Sequence, residues 1–233
     1  MGPPAPPARY PTTVRDVDEV SLLGHADPES WAELVAQEGL RLHVVEGRAP
    51  ILLLGCSTTF KGIRFRELSV STFVSDSKDG STRDGAFLVQ AFNSVRFFAF
   101  VERRIFKTPY ELAEVQVSAG DPASMSVRQR GALVVRAEMT GPARDTEPGE
   151  PGWEGPIFLP RPAGSRRKRK VFFAKLEGAS RSVAFHDTET LEFGEAATHP
   201  VFALLTGSNY VPETWQYRTG AVHSRTKSYS RLA

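Results

Sequence analysis

The chain has 233 residues, 40% of them hydrophobic and 24% charged, so it can bury a substantial core and lacks the composition of a disordered chain. Lys and Arg (29) nearly balance Asp and Glu (27), and a formal charge of +2 provides no global field to gather nucleic acid or an anionic membrane. The single cysteine, Cys56, excludes an intramolecular disulfide, and the five histidines lack the paired spacing of zinc sites, so no metal or cofactor is expected.

Residues 1–11 are proline-rich and lack a basic-then-apolar signal pattern, and no run approaches the roughly 20 apolar residues that cross a bilayer. These features predict a cytoplasmic protein with no membrane partner. A flexible leader is expected over residues 1–20 and one β-rich domain over 21–233.

Asp27-Pro28-Glu29 offers an N-cap, a proline at the first helical position and an early acid, ahead of Trp31, Leu34 and Val35 at helical spacing; a helix is predicted from Pro28 to Glu38. After Gly39 the pattern changes to short runs rich in Val, Phe, Ile and Leu between turn signals. Strands are predicted near 40–46, 50–56, 68–75, 86–93, 95–103, 112–118, 131–139, 170–177, 181–186 and 191–194. A second helix is predicted over 199–208, where Val201, Leu204 and Leu205 share a face. Many strands with few helices point to a barrel or sandwich, and closure removes exposed sheet edges.

Three polar stretches punctuate this pattern. Residues 141–152 read as a surface loop, and the basic run 166–170 reads as a solvated hairpin loop, because no aromatic stacking pattern accompanies it to argue for nucleic acid. Residues 217–229 alternate Arg218, His223, Arg225 and Lys227 with aromatic punctuation, which suggests a terminal segment that docks. Trp153 to Pro160 reads as a tight turn feeding an apolar segment, with Trp153 in the core.

The stretch from Ala91 to Ala113 contains an aromatic run, Phe97-Phe98-Ala99-Phe100, followed by Arg103-x-x-Phe106-x-x-Pro109-Tyr110. It resembles the core hairpin of the acetoacetate decarboxylase-like superfamily, in particular a bacterial branch that lacks the catalytic lysine pair. Phe65 to Val74 is similar to that branch's glutamate-leucine element and following strand. The resemblance implies a mainly β (α+β) fold, a closed antiparallel β-barrel-like sheet with a few short helices. In the decarboxylases of this superfamily a Phe-Pro-Lys-Lys-Leu-Ala stretch supplies the amine that forms a Schiff base, an amine whose pKa is depressed by a neighbouring cation and apolar burial. Matching Pro109 and Leu112-Ala113 to that stretch puts Tyr110 and Glu111 at the lysine positions, and neither can form an imine.

Tyr110 and Glu111 are therefore the candidate proton-handling residues, with Arg96, Arg104 and Lys107 as candidate substrate-binding cations. An interior Glu111 requires a partner such as Arg64, Arg96 or Arg104, because an unpaired buried carboxylate is too costly. Arg96, within a strand buried on both faces, is expected to pair with Glu102 or Glu111 or to hold an anion. Cys56 reads as a small core residue, and His223 is a candidate acid or base without an evident partner. Two functions follow: a lyase-like enzyme that turns over a small oxo-acid or polyketide-like substrate without a Schiff-base lysine, or a non-catalytic small-molecule binding or structural protein of the same fold. A homo-oligomer is left open and nucleic acid is not expected as a partner.

Overall fold

The computed structural model describes residues 9–75, 83–120, 122–140, 146–161, 170–194 and 199–230. In chain order the elements are β1 (Thr12–Ala26), α1 (Pro28–Ala36), β2 (Arg41–Leu42), β3 (Ala49–Phe60), β4 (Ile63–Ser75) and β5 (Gly85–Asn93). Next come α2 (Arg96–Val101), a π-helical turn (Glu102–Phe106), β6 (Tyr110–Leu112), β7 (Glu114–Ser118), β8 (Ser124–Gln129), β9 (Ala132–Glu138) and β10 (Glu147–Pro148). The chain ends with β11 (Gly152–Leu159), β12 (Lys170–Glu177), β13 (Arg181–Ala184), β14 (Thr190–Phe193), α3 (Pro200–Gly207), β15 (Val211–Arg225) and β16 (Tyr229–Ser230).

Seven strands close on themselves in the order β1-β3-β4-β5-β11-β12-β15, the ring being completed by antiparallel pairings of β15 with both β12 and β1. Six of the ring's junctions are antiparallel, but β11 joins β5 in parallel through Ile157↔Ala86 and Phe158↔Phe87, and β6 also adds to β5 in parallel. The barrel is thus mixed where a purely antiparallel one was expected. The cause lies in the connection: after β5 the chain leaves to build α2 and a second sheet, and so long an excursion lets it return in the same direction, which a hairpin cannot do. That second, antiparallel sheet runs β14-β9-β8-β7.

Alternation along the barrel strands decides what each face touches. Val20 and Leu22 of β1, Ile51 and Leu53 of β3, and Leu68 and Val70 of β4 point out of the barrel and form one core with Trp31 and Val35 of α1, Phe202 and Leu205 of α3, and Val115, Met125 and Val127 of the second sheet. Gly55 faces the same layer: a Cβ there would press on the Val117 side chain at 3.1 Å, so glycine lets the second sheet lie close against β3 without displacing that side chain. The main apolar core therefore lies outside this half of the barrel. The interior is left unfilled.

Two expectations are corrected. The leader does not extend to residue 20, since β1 begins at Thr12; its alternation is obscured by Asp16 at φ 54°, where register shifts on either side of Val17 mark a bulge. The segment 95–103 is not a strand but α2 and the start of the π-helical turn. Asn93 ends β5, its Oδ1 accepting from the Val95 N–H at 2.9 Å, and this Asx turn redirects an aromatic run whose β propensity alone argued for a strand. Helix α1 stops at Ala36, β8, β11 and β15 arise in stretches not assigned as strands, and residues 166–169 of the basic run and 141–145 of the loop lie outside the described residues. Among the described residues no helix is long and apolar enough to cross a membrane.

Candidate functional site in the barrel interior

The inward faces of the barrel strands enclose a cavity of about 290 Å³. Its wall is apolar along Leu52, Leu54, Leu88, Phe172 and Ala174; polar groups include Ser21, Ser69, Ser71 and Gln216 and, with the charged side chains Glu19, Glu67 and Arg218, a transverse band. Strand register builds that band: Arg218 pairs across the ladder with Glu19, Glu19 with Cys56, Cys56 with Glu67, and Glu67 with Asn93. Adjacent strands lie about 4.8 Å apart, so Glu19 and Glu67 are separated by about 10 Å of backbone with Cys56 between them. Five strands contribute one residue each to a row invisible in the linear sequence.

Towards one end of the row Glu19 is sealed, its side chain 2% exposed, and it holds two partners: Arg218 Nε lies 2.8 Å from Oε1 and His223 Nε2 2.6 Å from Oε2. The Arg218 side chain is 5% exposed, yet its Nη1 has no hydrogen-bond partner among the described residues.

At the other end the Tyr110 hydroxyl donates to Glu67 Oε1 at 2.6 Å and Asn93 Nδ2 donates to Oε2 at 3.4 Å. Glu67 keeps some open surface, and that surface lines the cavity. Desolvation pushes its carboxyl up to about 7; the Tyr110 hydrogen bond opposes the rise, the negative charge of Glu102 adds to it, and Arg225 and Asn93 oppose it. Burial first, then the charges of Glu67 and Glu102, raise the Tyr110 hydroxyl well above its usual range. The buried Cys56 thiol is likewise pushed up, by desolvation and then by Glu67 and Glu19, so it is a protonated thiol rather than a nucleophile. Nearby, Arg225 Nη1 meets Glu102 Oε1 at 2.7 Å, Thr108 Oγ1 donates to Glu102 Oε2 at 2.8 Å, and the Arg225 guanidinium stacks 4.4 Å from the Phe172 ring centroid.

Of the residues singled out from sequence, Tyr110 lines the cavity. Glu111, one step along the strand, turns away, accepting from Gln129 Nε2 at 3.1 Å and lying 3.4 Å from His199 Nε2. Its partners are a glutamine and a histidine rather than the arginine that an interior position would require. Arg96 and Arg104 are exposed on α2 and the π-helical turn; Arg96 was expected inside a strand, and the helix carries it to the surface. Lys107 ends the π-helical turn in left-handed backbone, φ 62°, and does not line the cavity. None of the described cavity-lining residues is a lysine. Among the described residues no group of three or more His, Cys, Asp or Glu side chains is placed to hold a metal ion.

Sequence reasoning missed Glu19 and Glu67 as site residues and left Arg218 and Arg225 in a docking tail. A signal was present: Glu67-Leu68-Ser69-Val70-Ser71 and Glu19-Val20-Ser21-Leu22 both alternate polar with apolar. That pattern normally marks a solvent face, and only closure of the sheet turns the polar side inward.

A closed, mostly antiparallel barrel with polar side chains on its inner wall defines a β-barrel architecture. The particular fold is that of acetoacetate decarboxylase-like proteins. The chain is similar to an acetoacetate decarboxylase structure at 14% identity, covering 98% of this chain and 92% of that one with a TM-score of 0.63. It is similar to the acetoacetate decarboxylase of Legionella pneumophila, also at 14% identity, covering 100% of this chain and 92% of that one with a TM-score of 0.63. It is similar to the enduracididine biosynthesis enzyme MppR, complexed with the condensation product of pyruvate and imidazole 4-carboxaldehyde, at 11% identity, covering 93% and 87% with a TM-score of 0.62. No protein-family model and no curated protein sequence matches the chain.

Proposed function

We propose that the barrel interior binds a small oxo-acid or polyketide-like carboxylate and that the protein is a lyase-like enzyme working without a Schiff-base lysine. The observation that carries this reading is the Tyr110–Glu67 pair on the cavity wall, in which a carboxyl raised to about 7 is present in both protonation states at neutral pH. Arg218, with its unsatisfied donor, holds the substrate carboxylate. A substrate carbonyl oxygen accepts a hydrogen bond from protonated Glu67. When an adjacent C–CO₂⁻ bond breaks CO₂ departs, and when an adjacent C–H bond breaks solvent water takes the proton; in either case the electron pair forms the C=C bond of an enol as the carbonyl oxygen takes the Glu67 proton. A proton from water then adds to the carbon, the enol O–H proton returns to the Glu67 carboxylate and the carbonyl is restored. Tyr110, whose own proton is held firmly, steers the Glu67 carboxyl and limits its rise in pKa.

The fold likeness to MppR, whose structure contains a pyruvate-derived product, supports an oxo-acid as the first substrate class to try. The absence of lysine among the described lining residues favours a second reading, a non-catalytic binder of the same ligands. Proton–deuterium exchange next to the carbonyl of pyruvate or acetoacetate in D₂O, followed by NMR, separates the two. The enzyme reading expects exchange that is lost in Glu67→Gln and no adduct on borohydride treatment. Thermal stabilisation by these acids without exchange selects the binder. Neither exchange nor stabilisation rejects both readings, and a borohydride-trapped adduct rejects the lysine-free mechanism.

A further inference from the structure

At one end of the barrel the surface reverses the usual distribution of side chains. Phe97, Phe100, Ile105 and Ile63 are 62%, 57%, 61% and 43% exposed. They belong to two elements joined by aromatic contacts, since the Phe98 ring meets Phe65 edge-on at 5.3 Å and Phe60 at 6.3 Å, fastening α2 to the β3–β4 hairpin. The hairpin tip stands clear: Lys61 and Gly62 are left-handed at φ 49° and 80°, and a Cβ on Gly62 would meet nothing within 4 Å.

Among these apolar groups lie Lys61, Arg64, Arg96, Arg103 and Arg104, all exposed and none in an ion pair among the described residues. Glu102, the acid of the 96–107 segment, is turned inward onto Arg225 and Thr108, so it does not neutralise them. A chain of net charge +2 thus carries five exposed cations, none in an ion pair among the described residues, on α2, the π-helical turn and the β3–β4 hairpin.

Charge selects the occupant. A second copy presenting the same face would set these cations against their counterparts, which is repulsive. Single-stranded nucleic acid would use the phenylalanines for stacking, but Ile63 and Ile105 offer bases no π face. An interface with an anionic bilayer uses both sets of residues together: aromatic and aliphatic side chains enter the headgroup–acyl boundary, and cations meet lipid phosphates.

We infer that this face, formed by α2, the π-helical turn and the β3–β4 hairpin, docks the protein on an anionic lipid surface. Phe97, Phe100, Ile63 and Ile105 are the inserting groups, and Lys61, Arg64, Arg96, Arg103 and Arg104 the phosphate contacts. Attachment of this kind needs no membrane-spanning helix. It also places the docked segment one ion pair from the cavity wall, through Glu102 and Arg225.

Co-sedimentation of the full chain with vesicles tests this, comparing phosphatidylcholine alone with phosphatidylcholine mixed with phosphatidylglycerol. Binding is expected only to the anionic vesicles and should weaken as salt rises. The Phe97→Ser/Phe100→Ser double variant should bind about tenfold more weakly or less, and Arg103→Gln/Arg104→Gln should bind more weakly with a shallower salt dependence. Thermal melts of both variants check that they fold, and either one suffices if the other does not. Absence of binding to both vesicle types, or equal binding to neutral and anionic ones, overturns the proposal. So does a concentration-dependent dimer that disappears in the phenylalanine variant, or capture of an oligonucleotide in preference to anionic vesicles.

Discussion

Inside the barrel, Glu19 and Arg218 are sealed at 2% and 5% exposure and held to each other, while on α2 and the π-helical turn Phe97 and Phe100 are more than half exposed and Arg96 and Arg104 are in no ion pair among the described residues. The charges are therefore buried where the wall is concave, and the aromatic rings are exposed where the surface projects. Each arrangement is costly for folding alone. A buried ion pair repays its desolvation only with good geometry, and exposed aromatics forgo the gain of burial. The two costs differ in kind, and stability measurements can tell them apart.

The largest effect is expected from Arg218→Ala, which leaves Glu19 buried with only His223 beside it and should lower stability by about 3–5 kcal/mol in urea titrations. The same truncation at Arg104 should stay within about 0.5 kcal/mol. Adding Glu19→Ala to Arg218→Ala should restore part of the loss, because the second change removes the stranded charge. Equal losses at Arg218 and Arg104 would end the distinction between the regions.

Next in size is the pH response of Glu67. Its folded carboxyl titrates at about 7 against an ordinary 4.5, so the folded chain binds the proton more tightly than the unfolded one. Stability from this group is fully present below pH 4.5 and lost as pH rises through about 7, an effect of up to roughly 3 kcal/mol. Unfolding free energies measured across that window should therefore fall with pH in the native chain and fall less steeply in Glu67→Gln. Tyr110→Phe is expected to cost about 1–3 kcal/mol and to move the Glu67 titration upward, because the hydrogen bond it deletes holds that pKa down. NMR titration of labelled glutamate carboxyl carbons would read this directly. Smallest of all, Phe97→Ser should change stability by no more than about 0.5 kcal/mol, since its ring is already in water. A large loss there would mean that the exposed face is structural.

The helix at 28–36 was legible because Asp27-Pro28 and the spacing of Trp31 and Val35 act locally, and the strands at 50–56, 68–75, 86–93 and 170–177 because short apolar runs bounded by turn residues do the same. The aromatic segment 96–101 misled, since a helix held against the barrel by Phe98 and Phe65 carries the same residues as a strand would.

In the site, Tyr110 was within reach of sequence because its neighbours carry a family resemblance, whereas Glu19, Glu67, Arg218 and Arg225 were not. By itself the sequence determined the alternation of each strand, a local property with a period of two residues. Only the tertiary structure decided that the polar side of that alternation faces the barrel cavity and that residues 19, 56, 67, 93 and 218 fall into one row. Register and closure are long-range hydrogen-bonding choices among strands far apart in the chain, and a single strand carries no record of which neighbours it will meet.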